Sequence, residues 1–351
     1  MSSPRPEFVC ACFFNKNIFL KKYKLHITYE CDRQFQEQYR DALRLKGCST
    51  DKQYDKELAE IHQEITRRRN YHATFLDNYI TIQKKYKKLH PHIWKLNFNM
   101  LDSRFTAIAQ EAQQLLVLEG NRPLRKEMMS HIIDNGGNIT DAETFRFPVF
   151  TKITCQQIME EIENFSNCSI KKTQPNTMNK GGVSLDEMGL SEGLITPLIK
   201  DYLQPITKVL FPNWGGGSLD SYKSFVVKYE HAGDTNLSWH YDNSEITLNI
   251  SLNSNFRNGE LQLMKPTKDG EEDQGIVVIS HEEGHGILHC GRQQHSALPI
   301  TAGVRYNIIV WMRSSMIRNK LCPMCQEKPT LVQVSTAGDG FYPENSLCNL
   351  L

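Results

Sequence analysis

Apolar and polar positions along this chain hold one period for a stretch and then change it, and each change marks an element. Phe8-Val-Cys-Ala-Cys-Phe-Phe14 and Ile18 to Tyr29 are runs of strand length on either side of Asn15-Lys16-Asn17, which predicts two strands joined by a short turn. Tyr54, Leu58, Ile61 and Ile65 then recur at intervals of four, three and four, one face of a helix, with Ser49, Thr50 and Asp51 available to cap its start. From Asp134 to Thr144 the pattern gives way to Gly, Asn, Thr and Asp, the composition of a linker, and a domain boundary is expected there. Thr154 with Gln157 has the form of a capping box ahead of Cys155, Ile158, Ile162 and Phe165, which share a helical face. A second helix is predicted from Thr196-Pro197, with proline at the first helical position, toward Leu210, with Pro205 as a kink or early end.

After Trp214 and the triple glycine 215–217 the texture becomes that of short strands: Phe225 to Tyr229, Ile246 to Leu252, Glu260 to Met264, Ile276 to Ile279, Gly286 to His289 and Arg305 to Met312. No long helical pattern separates them, so they suit an antiparallel sandwich or jelly roll rather than a parallel sheet with crossover helices. Ile246, Leu248, Ile250 and Leu252 alternate with Thr247, Asn249, Ser251 and Asn253, and the polar set would line the interior of a small β-barrel. The expectation is an α+β chain: a mixed α/β N-terminal region over 1–140, a domain over 146–316 whose jelly-roll core spans about 222–314 behind flanking helices, and a cysteine-bearing tail over 317–351.

Composition changes this picture only locally. The chain has 351 residues, room for two domains, and 41 Lys/Arg against 40 Asp/Glu give a net charge of +1, no overall field to hold nucleic acid or an anionic membrane. Residues 1–100 alone carry an excess of +8, concentrated in Arg67-Arg68-Arg69 and in Lys84-Lys85-Tyr86-Lys87-Lys88, which reads as a solvated helix face; nucleic-acid binding is not indicated. No run approaches the ~18 apolar residues of a membrane span and the first residues lack the layout of a secretory signal, so an intracellular location, cytoplasm or nucleus, is expected. Ten scattered cysteines fit thiols kept reduced there.

The chemistry gathers near the strand ends. His240-Tyr241-Asp242 is followed by His295 and then, ten residues later, by Arg305. Two imidazoles and one carboxylate on one face of a metal leave three positions open on Fe(II), room for a chelating co-substrate and O₂ together, whereas a closed four-ligand site is structural. A guanidinium in a barrel interior is costly unless it meets a carboxylate, which it grips through two parallel hydrogen bonds, and a dicarboxylate co-substrate supplies one.

Two other histidines compete. His281-Glu282-Glu283-Gly284-His285 satisfies H-E-x-x-H, the zinc hydrolase motif, but that motif works only on a helix. Gly284, Gly286 and Gly291 each cost about 1 kcal/mol in a helix interior, and a strand precedes the segment, so a loop is expected. His289 stands six residues before His295 and is expected beside the site rather than in it. Cys322-Pro-Met-Cys325 has the gap of a zinc knuckle but supplies two of four ligands. A non-catalytic jelly-roll binding module is the remaining alternative.

Taken together, these residues resemble the 2-oxoglutarate- and Fe(II)-dependent dioxygenases with a double-stranded β-helix core, and within them the prolyl- and lysyl-hydroxylase branch. The resemblance runs through Phe225-Val-Val-Lys-Tyr229, His240-Tyr-Asp242-Asn-Ser-Glu-Ile-Thr-Leu-Asn249, Gly259-Glu-Leu and His295 to Trp311. Gln174 to Asn179, Gly215 to Asp220 and Arg318 to Cys325 extend a closer resemblance to one member of the family over nearly the whole chain. It implies Fe(II) held by His240, Asp242 and His295, 2-oxoglutarate gripped by Arg305 with hydrogen bonds from Tyr229 and Asn249, O₂ as oxidant, and no catalytic side chain beyond the metal site. It also implies decarboxylation of 2-oxoglutarate to succinate and CO₂ coupled to hydroxylation of a substrate, a protein side chain by preference, with ascorbate as a candidate further cofactor whose need the sequence leaves open. One departure stands out: the collagen-type prolyl hydroxylases carry lysine where Arg305 stands, a point charge in place of a fork, so a collagen-like substrate does not follow.

Overall fold

Strand β1 (Glu7–Cys10) opens the computed structural model, which describes residues 7–10, 17–117, 124–176, 178–266, 275–321, 328 and 331–334. Contacts divide the chain into two units, 77–314 and a smaller one formed by 1–76 with 315–351. In the smaller unit β2 (Asn17–Leu20) and β3 (Leu25–Thr28) form an antiparallel hairpin around a 3-10 turn at Lys21–Tyr23. The second run, expected as one strand, is therefore corrected: Lys21-Lys22-Tyr23-Lys24 interrupts it and it folds back on itself, while residues 15 and 16 of the expected turn lie outside the described residues. Helix α1 (Asp32–Leu45) and helix α2 (Asp51–Lys85) follow. The stripe predicted for α2 is present: Tyr54, Ile61 and Ile65 are buried with Ile18, Ile27, Phe35 and Leu43. Its cap is reciprocal, with the Gln53 N–H donating to Thr50 Oγ1 and the Thr50 N–H to Gln53 Oε1, both at 3.2 Å.

The larger unit holds α3 (Ser103–Val117), α4 (Leu124–Asp134), β4 (Asn138–Ile139) and β5 (Phe145–Pro148). Residues 134–144 are thus no linker: β4 and β5 pair as a hairpin and bury Phe145 and Phe147 completely, so the boundary expected near 140 falls inside this unit. Helix α5 (Lys152–Asn167) starts earlier than its expected cap, because the Thr154 N–H donates to Thr151 Oγ1 at 3.2 Å, but it buries the predicted Cys155, Ile158, Ile162 and Phe165. After β6 (Gly182–Ser184) and α6 (Leu185–Met188), Pro197 closes α7 (Ser191–Pro197) instead of opening a helix. A π turn over Leu198–Leu203 leads into α8 (Gln204–Leu210), where Pro205 sits in the first turn and its missing N–H costs nothing.

The strands that follow form two antiparallel sheets. The large one takes β7 (Ser221–Glu230), β9 (Ile246–Ser251), β13 (His285–Cys290) and β15 (Ile300–Arg313) in the order β4-β5-β13-β9-β15-β7-β6, with β10 (Phe256–Asn258) added to the start of β15. The small one takes β8 (Leu237–His240), β11 (Leu261–Met264), β12 (Ile276–Ile279) and β14 (His295–Ala297) in the order β12-β11-β14-β8. Alternation along β9 sorts its two faces as predicted. Ile246, Leu248 and Ile250 join Ile308, Val310 and Met312 in a core shared with α3, α5, α7 and α8. Thr247 and Asn249 turn instead toward a narrow space between the two sheets. All six residues of β9 are buried, since the strand is covered on both faces.

In the smaller unit α9 (Ser315–Arg318) and β16 (Leu331–Val334) are the last elements among the described residues, β16 pairing antiparallel with β1. Cys322, Cys325 and Cys348 lie outside the described residues. Among the described residues no helix is long and apolar enough to cross a membrane.

Candidate metal centre

Register brings the ligands together. β8 pairs with β14 so that His240, its last residue, stands opposite His295, the first residue of β14. Asp242 follows in the next turn, held by its N–H donating to the Gly291 carbonyl at 2.9 Å. That turn tolerates only glycine at 291, because a Cβ there would run into the Ser244 side chain and carbonyl. One donor atom from each of His240, Asp242 and His295 lies within 4.8 Å of the others, and these form the one such group of three metal-ligating side chains among the described residues. The His240 and His295 Nε2 atoms are 3.7 and 3.5 Å from the two oxygens of Asp242.

Each donor is oriented by its neighbours. His240 Nδ1 pairs with the Ser238 carbonyl at 2.7 Å and His295 Nδ1 with the Gln293 carbonyl at 2.8 Å. A carbonyl only accepts, so both Nδ1 atoms carry the proton and both Nε2 lone pairs are left for a metal. The Thr247 hydroxyl donates to Asp242 Oδ2 at 2.7 Å and exchanges a second hydrogen bond with Ser244 at 2.7 Å. Burial opposes ionisation of Asp242, but the neighbouring His295, by charge and hydrogen bond, and then His289 and Thr247 outweigh it and hold the carboxyl well below the usual range. The same contact raises His295 against its own burial, while burial and His295 together lower His240.

Arg305 enters from β15, directly opposite Tyr229 on β7. It is 2 % exposed, its Cζ sits 4.1 Å above the Tyr229 ring, and Nη1 donates to the Gly259 carbonyl. Its Nε has no partner, and among the described residues no carboxylate forms an ion pair with it. Burial pulls its guanidinium below the ordinary value. Tyr229 is raised by burial and accepts from Asn179 at 3.2 Å, and Asn249 accepts from Asn307 at 2.7 Å. All of the sequence-derived candidates, His240, Asp242, His295, Arg305, Tyr229 and Asn249, line one space between the sheets. An imidazole pair and a carboxylate converging beside a buried guanidinium with an idle donor is a donor set that fits Fe(II) and a dicarboxylate.

The competing motif is dispersed. Residues 281–284 form a turn with Gly284 at φ +78°, and His285 begins β13, so the helix that H-E-x-x-H requires is absent. His281 Nδ1 lies 3.3 Å from Asn307 Nδ2, while His285 lines a separate hollow with Asp102 and Arg104. His289 is buried on β13 with its ring 4.8 Å from that of His295, outside the ligand group; burial pushes it down to about 4. Thr247, Ser244 and Asn179 were not singled out from sequence, although the alternation along β9 already placed Thr247 on the polar face.

Known proteins resemble this chain over most of its length. An OGFOD2-like domain matches residues 82–216, which stop short of His240, Asp242 and His295. The chain is 39% identical to the Xenopus tropicalis 2-oxoglutarate and iron-dependent oxygenase domain-containing protein 2, over 97% of this chain and 95% of that one. The human protein of the same name is 36% identical over 98% and 96%. Rat procollagen-lysine,2-oxoglutarate 5-dioxygenase 1 is 23% identical over 70% of this chain and 32% of its own length.

Proposed function

The chain belongs to the family of the 2-oxoglutarate and iron-dependent oxygenase domain-containing protein 2, and from that premise we propose that it is an active Fe(II)- and 2-oxoglutarate-dependent dioxygenase that hydroxylates a protein side chain, its two facing sheets forming a double-stranded β-helix. The observation that carries the proposal is the convergence of three donor atoms within 4.8 Å in a space that also holds a buried Arg305 whose Nε has no partner.

His240, Asp242 and His295 hold the metal on one side, their rings and carboxylate fixed by Ser238, Gln293 and Thr247. Arg305 anchors the far carboxylate of 2-oxoglutarate, with Tyr229 packed against the guanidinium to fix its plane. When bound, iron and 2-oxoglutarate supply oxidative decarboxylation to succinate and CO₂ coupled to hydroxylation. Asp242, His295 and Arg305 are buried, with His240 half-buried at the opening, which limits the access of bulk water to the centre. A protein substrate is favoured by the relative whose name gives it procollagen lysine as substrate.

The test is succinate formation by the iron-loaded chain with 2-oxoglutarate in air, with and without an added protein fraction. Turnover stimulated by protein and lost in Asp242→Ala supports the proposal. A chain that binds iron and 2-oxoglutarate but forms no succinate is a binding module.

A further inference from the structure

A hollow larger than the metal space lies elsewhere in the larger unit. A cavity of about 470 Å³ lies among Phe211, Trp214, Tyr241, Arg292 and Gln294. It falls in the size range of ligand sites. Its wall is made from the segments that carry the ligands. Tyr241, 60 % exposed, is the residue between His240 and Asp242. Arg292 and Gln294 flank Gln293, whose carbonyl orients His295, and Gly291 beside them accepts from the Asp242 N–H.

The charges on this wall do not cancel. Arg125 pairs with Glu143 at 3.3 Å and Lys265 with Asp141 at 3.2 Å. Arg292 is left over: its Cζ lies 5.8 Å from the centre of the Trp214 ring, and its buried Nε and Nη2 have no partner. A guanidinium held against an aromatic face with idle donors is built to receive one carboxylate. Asn213 and Gln294 on the same wall make no side-chain hydrogen bond among the described residues, and each offers a donor beside an acceptor, the pairing that a peptide group needs. A polynucleotide fits poorly, since it needs several cations spaced along its phosphates and would meet Glu143 on the wall.

We propose that this cavity docks the substrate, a peptide segment whose Asp or Glu side chain is gripped by Arg292 between Trp214 and Tyr241. The inference rests on the dioxygenase reading and names its substrate class. Tyr241 on the cavity wall stands between His240 and Asp242, which line the metal space, so the two hollows share the segment 240–242.

The experiment uses the full chain with Fe(II) and 2-oxoglutarate, reading succinate against two matched degenerate peptide libraries that differ in one fixed position, Glu or Lys. The visible band of the iron chelate is recorded anaerobically for every protein. The Glu library is expected to stimulate turnover roughly tenfold more than the Lys library, the worth of one charge-assisted hydrogen bond. Arg292→Glu should reverse the preference, and Arg292→Gln, which keeps the size and polarity of the position, should abolish it. Equal stimulation by the two libraries, stimulation by neither in a protein that forms the chelate, or a Glu preference that survives Arg292→Glu overturns the docking assignment alone. Absence of the chelate in the wild type overturns it together with the dioxygenase reading.

Discussion

The larger unit contains two sets of two histidines and a carboxylate, His240/Asp242/His295 and His281/Glu282/His285, and of these two only the first brings its donor atoms together among the described residues. By spacing the second is the tighter motif, five consecutive residues against a pair and a distant third. In the fold the order reverses. Strand pairing sets His240 opposite His295 and carbonyls turn both Nε2 atoms toward Asp242, whereas the turn at Gly284 sends His281 and His285 into different surroundings. Spacing selects a ligand set only when the backbone that realises it is the one the motif assumes: i and i+4 share a face on a helix and not across a turn into a strand.

The sharpest way to break this comparison is to remove the carboxylates in turn and titrate the metal-free chain anaerobically with Fe(II). Asp242→Ala should weaken iron by more than about 100-fold, beyond the cost of losing a mere orienting partner, while Glu282→Ala leaves it within about twofold. Arg305→Ala should raise the 2-oxoglutarate concentration needed for half saturation by about 100-fold, the loss of a charge-assisted pair in a buried place, with iron affinity kept. Thr247→Ala should cost about tenfold in iron affinity, because Asp242 loses the hydroxyl that orients it.

The smallest effect is one of pH. Asp242 raises His295 above its ordinary value, so their contact stabilises the metal-free fold fully below about pH 6.5 and is lost as pH rises through the raised value. The gap in melting temperature between the metal-free wild type and Asp242→Ala should therefore narrow from pH 6 to pH 9, by about 2–4 °C for about 1 kcal/mol. Calorimetry at both pH values checks it, and a constant gap would mean that the contact carries no such coupling.

Much of this was legible in the sequence. The period of two over 246–252 predicted both faces of β9, and the strand setting with the family resemblance pointed to His240, Asp242, His295 and Arg305, which the fold brings to one space. Short elements escaped it: β8 and β14, the strands whose pairing joins the ligands, span only Leu237–His240 and His295–Ala297, too few residues to show a period. The stretch 134–144 read as a linker because hairpin turns and linkers draw on the same residues, and Phe145 and Phe147 reveal themselves only by their burial. The cap of α5 was misplaced by one turn because Thr151 and Thr154 are equally good capping residues. The cavity beside Arg292 left no sequence signal, since its wall is gathered from six separate stretches of chain.

The most direct test adds Fe(II) and then 2-oxoglutarate, without oxygen, to the metal-free chain and looks for the visible charge-transfer band of the chelate. The wild type and the Glu282→Ala/His285→Ala double variant should both show it, and Asp242→Ala should not. A folded wild type with no band, or a band that disappears with the double variant, would contradict the assignment of the site.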